Sequence, residues 1–62
     1  MSYKTFCKRY NALKEVIAPV ISDEAEMVMF CGEFVRRGIT PTDIYGMNAE
    51  ALREYWRRTD NV

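Results

Sequence analysis

Few side chains in this chain are equipped for chemistry. There are two cysteines, Cys7 and Cys31, and no histidine. A cysteine nucleophile needs a base or an electropositive, accessible setting, and only Cys7, beside Lys8, comes near that. Its place in an apolar helical stripe argues for burial instead. Without histidine no side chain offers an unperturbed base near neutral pH, and no glycine-rich phosphate loop is present. Two cysteines far apart in sequence have no zinc-ligand spacing and build no multi-bridge framework. The carboxylates fall at helix starts or on exposed stripes, where capping and solvation explain them. The reading is therefore of a protein that is not an enzyme, with no catalytic residue, no cofactor, no metal and no small-molecule substrate.

Recognition is the chemistry that remains, and charge is its first clue. Nine basic and nine acidic residues cancel, so no net field draws the whole chain to nucleic acid or anionic lipid. The charges are nevertheless segregated. Lys4, Lys8, Arg9 and Lys14 lie in the first third of the chain, whereas Asp23, Glu24, Glu26 and Glu33 follow without a cation among them. No apolar run approaches the roughly 20 residues of a membrane span, and the N-terminus lacks a signal-peptide apolar region. A cytoplasmic protein with free thiols and no membrane partner is expected.

The elements that must position these groups are marked by caps. Ser2 can cap a helix over 3–18, whose apolar residues Tyr3, Phe6, Cys7, Tyr10, Leu13 and Ile17 follow helical spacing. Pro19 stops it. Ser22 or Asp23 opens a second helix over 23–37, with acids in its first turn, Arg36 and Arg37 in its last, and Gly38 placed for a Schellman closure by Ile39. Thr40, Pro41 and Asp43 begin a short helix over 41–45. Asn48 caps a final helix over 49–58, and 59–62 are expected to fray. The short connection at Pro19 makes the first two helices an antiparallel hairpin. One all-α domain spanning 1–62, a small three-helix fold with one extra helical turn, is the result. Within the hairpin Cys7 and Cys31 fall at about the same height, where packing as small hydrophobes is favoured over bridging.

Two surfaces can carry recognition. Residues 40–58 resemble a helix-turn-helix, in which a second helix enters the major groove. Asn48, Arg53, Arg57 and Arg58 would be its DNA contacts. Against it, the leading helix is short, and Glu50 and Glu54 share the face that would meet phosphate. Lys4, Lys8 and Arg9 beside Tyr3, Phe6 and Tyr10 also make a combination suited to single strands or a membrane surface, though aromatics at helical spacing more often form core.

The second surface is the helix over 23–37, which is apolar around most of its circumference. Met27, Phe30 and Phe34 lie on one side; Ala25, Val28, Gly32 and Val35 lie on the other, with Met29 at its edge. A glycine inside a helix costs roughly 1 kcal/mol against alanine, and close approach of another backbone is the simplest compensation. At 62 residues only about 60 % of the unfolded surface is buried, so association is an expected supplement. Val28, Met29, Gly32 and Val35 are thus the expected protein interface. The function expected is a small regulator or adaptor acting through protein contacts, as a homodimer or on a larger macromolecule, with a DNA-binding regulator as the alternative.

Overall fold

The computed structural model describes residues 1–60 as four helices: α1 (Tyr3–Ile17), α2 (Glu24–Arg36), α3 (Pro41–Ile44) and α4 (Ala49–Asp60). No strand occurs among the described residues, so the chain is all-α. Local signals set most boundaries. The Ser2 hydroxyl accepts the Thr5 N–H at 3.2 Å, and the Asp23 carboxylate accepts the Ala25 N–H at 3.0 Å, each filling a donor the first turn leaves open. α2 closes in a full Schellman motif. The Ile39 N–H donates to the Phe34 carbonyl at 2.9 Å and the Gly38 N–H to the Val35 carbonyl at 3.1 Å. That geometry needs a positive φ, and Gly38 supplies it at 74°. In α3 the Asp43 carboxylate accepts from both the N–H and the hydroxyl of Thr40, at 2.9 and 3.0 Å.

Around Pro19 the Val20 and Ile21 N–H groups both donate to the Ile17 carbonyl, turning the chain so that α1 and α2 form the expected hairpin. Ile21 drops into the core at that turn. The core then fills from every element: Leu13 and Ile17 of α1, Met27, Phe30, Cys31, Phe34 and Val35 of α2, Ile44 of α3 and Leu52 of α4. α3 lies against α1. α4 runs alongside α2 in the same direction, since Glu26 meets Arg53, Phe30 meets Trp56 and Arg37 meets Asp60.

α4 departs from the sequence reading at its end. It continues to Asp60, so Thr59 and Asp60 belong to its last turn rather than to a frayed tail. The cause lies at the end of α2, whose C-cap residue Arg37 donates to the Trp56 carbonyl at 2.7 Å, to the Thr59 hydroxyl at 2.9 Å and to Asp60 at 3.0 Å. One guanidinium thereby ties the last turn of α4 to the end of α2. The remainder of the expected tail, residues 61 and 62, lies outside the described residues.

Candidate functional site: the outward face of α2

Two of the three sides of α2 are covered. α1 packs along α2, whose Cys31 and Val35 are buried, while α4 brings Trp56 to within 6.3 Å of the Phe30 ring and Tyr55 edge-on to Phe34 at 6.0 Å. Leu52, Tyr55 and Trp56 thus cover the Phe30/Phe34 side and leave the Val28/Gly32 side bare. At roughly 100° per residue, Ala25, Val28, Met29, Gly32 and Arg36 share that outward side. Val28 is 46 % exposed, Met29 and Gly32 are half-buried, and Ala25 and Arg36 are exposed.

The interface expected from sequence is corrected at one position. Val35 is 1 % exposed and belongs to the core, so it is not available to a partner. Its place is taken by residues of α1. Phe6 and Tyr10, stacked with ring centroids 6.1 Å apart, flank a shallow depression of about 400 Å³ that Val28, Met29, Gly32, Glu33 and Arg36 complete. Tyr3, 84 % exposed, extends this apolar ground by one helical turn. Sequence periodicity assigned Phe6 and Tyr10 to the core stripe; they sit at its margin, where one edge touches the core and the other faces out.

Gly32 lies at the centre of the depression. A Cβ built there meets nothing within 4 Å, so no internal neighbour requires its missing side chain. Met29, Gly32, Glu33 and Arg36 follow i, i+3, i+4, i+7 spacing, the four-cornered hole into which a side chain of a neighbouring helix inserts. Ala25, Val28, Met29 and Gly32 make a second such hole one turn earlier.

The side chains of the DNA-binding alternative have work inside the fold. Asn48 accepts the Ala51 N–H at 2.8 Å as the cap of α4. Arg53 grips Glu26 through two hydrogen bonds of 2.8 and 2.9 Å, and that grip holds the Glu26 carboxyl below its ordinary value of 4.5. Arg57 pairs with Glu54 at 3.3 Å, and the Arg58 guanidinium lies 5.9 Å from the Tyr55 ring centroid. α3, at four residues, is shorter than the first helix of a helix-turn-helix.

The thiols are both free. Cys31 is fully buried with Sγ 3.8 Å from the Met27 sulfur, and burial pushes its thiol above the usual 9.0, which opposes formation of a thiolate. Cys7 is half-buried. Among the described residues no helix is long and apolar enough to cross a membrane. No protein-family model, curated protein or solved structure matches the chain.

Proposed function

We propose that the protein is a small, non-enzymatic regulator or adaptor of the cytoplasm that acts through protein contacts, with the depression between α1 and α2 as its contact surface. One observation carries this reading: an apolar helix face centred on a glycine that nothing inside the molecule uses. Exposed Val28 and half-buried Met29, Phe6 and Tyr10 surround that glycine, and clustered apolar surface of this kind marks interaction sites in small soluble proteins. Met29, which lines the depression, adds adaptability, because the unbranched thioether side chain repacks against varied partners. The lack of histidine and the burial of Cys31 support the non-enzymatic part.

The test is a comparison of partner capture from the native host by the wild type, by Gly32→Gln, and by Glu54→Ala as a control on the exposed side of α4. A specific protein retained by the wild type and by the control, and lost with Gly32→Gln while helicity is unchanged, is the expected result. Identical recovery by all three ends this reading.

A further inference from the structure

We infer that the occupant of the α2 face is a second copy of this chain, docked antiparallel about a two-fold axis that passes between Met29 and Gly32. The inference rests on the reading of this face as a contact surface and goes further by naming partner and register. Three observations converge on it.

The first is steric. Under a two-fold axis every contact is made twice, so the face must complement itself. With the axis between Met29 and Gly32, the Met29 side chain of each copy sits above Gly32 of the other. A flexible, half-buried residue at the edge of the depression thereby meets a position with no side chain and free space above it. The two four-cornered holes along Ala25 to Arg36 then lie opposite each other. The glycine that weakens an isolated helix acquires a use.

The second is charge. Along the hairpin, exposed Lys4, Lys8, Arg9 and Arg36 gather at the end where α1 starts and α2 finishes. Exposed Glu15, Asp23 and Glu24, offset by Lys14, gather at the other. An antiparallel mate lays the basic end of one copy over the acidic end of the next, and a parallel mate would set like charges together. Arg36 of each copy falls beside Glu24 of the other. Arg36 has 73 % of its side chain exposed and pairs with Glu33, one turn back, at 3.3 Å, an exposed pair that contributes little and is readily exchanged. The dipoles of the two α2 helices also oppose each other in this arrangement.

The third is size. The outward side of one 13-residue helix, with Phe6, Tyr10 and Tyr3 beside it, makes a small interface. Contacts at the low end of the size range, below about 1,200 Å² in total, are transient ones, so an affinity in the micromolar range follows. Zero net charge removes the repulsion that would oppose self-association at low salt.

The decisive experiment is sedimentation equilibrium of the full chain from micromolar to millimolar concentration, at low salt, with a charge-swap cycle. The wild type is expected to be a reversible dimer. Arg36→Glu and Glu24→Arg should each weaken it about tenfold, and the double variant should return to within about threefold of wild type, because two reversed charges face each other again. Gly32→Gln, whose side chain projects into open space in the protomer and so leaves the fold intact, should give a monomer. A wild type that is monomeric at millimolar concentration overturns the inference. A dimer indifferent to Gly32→Gln overturns it too, as does a charge swap that fails to restore affinity. The contact-surface reading is judged separately: a monomer that still loses a host partner with Gly32→Gln keeps that reading and ends this one.

Discussion

Gly32 and Gly38 both have free space where a side chain would go, yet they should respond to alanine with opposite signs. Gly32 lies inside α2 with ordinary helical backbone, so Gly32→Ala removes unfolded-state freedom without a clash. Urea denaturation at low micromolar concentration should show a gain of about 0.5–1 kcal/mol. Gly38 holds φ at 74°, which an L side chain adopts at a penalty. Gly38→Ala should lose about 1 kcal/mol in the same experiment. A gain at Gly38, or a loss at Gly32 in the monomer, would contradict the backbone account. The pair also separates two kinds of glycine: one is demanded by the turn, and the other has no role inside the protomer.

At the scale of elements, the attachment of α4 depends on Arg37. Its side chain, 16 % exposed, lies 5.4 Å from the Trp56 ring centroid, bonds three groups of the last turn, and approaches Glu33 at 3.6 Å. Arg37→Ala should lower stability by about 2 kcal/mol, the usual worth of charge-assisted bonds left unmade, and should reduce helicity by about a turn in circular dichroism. Arg37→Lys should recover little, since one ammonium does not reproduce the planar fork. This latch was invisible in the sequence, where Arg37 reads only as a favourable charge at the end of α2. Its partners are 19 to 23 residues away, Arg53 is 27 from Glu26, and helical periodicity says nothing about which face meets which. The caps at Ser2, Asp23, Gly38, Thr40 and Asn48 were legible because cap and recipient lie within five residues. Val35 was misplaced because its angle on α2, close to that of exposed Val28, lies at the border between the buried and outward sides, and only tertiary packing decides between them. That Val28 and Gly32 share one side of α2, apart from Phe30 and Phe34, was legible because helical spacing alone sets it.

For the whole molecule, acid is the condition to which the fold should be most sensitive. Arg53 holds Glu26 below 4.5, and the Thr40 N–H, with its hydroxyl, holds Asp43 below 3.8. A carboxyl with a depressed folded-state pKa contributes stability above its unfolded value and loses it as pH falls through the folded one. Urea midpoints should therefore stay level from neutral pH to about 5 and fall below about 4. In Glu26→Gln with Asp43→Asn that fall should be shallower, beginning from a lower neutral value. An unchanged acid slope in the double variant would remove both ties from the account. Zero net charge and an Arg53 tied to Glu26 also give a clear expectation for nucleic acid: no binding of duplex DNA at about 50 mM salt. Tight, steeply salt-dependent binding there would revive the helix-turn-helix alternative. The chain's single tryptophan, Trp56, has its indole N–H buried without a partner, one face near Phe30 and the Arg37 guanidinium within reach. The molecule thus contains its own optical gauge. Emission should shift when α4 lifts from α2 and stay constant when a visitor settles on the opposite side, so unlabelled protein in a cuvette can tell an opening of the fold from an encounter at its surface.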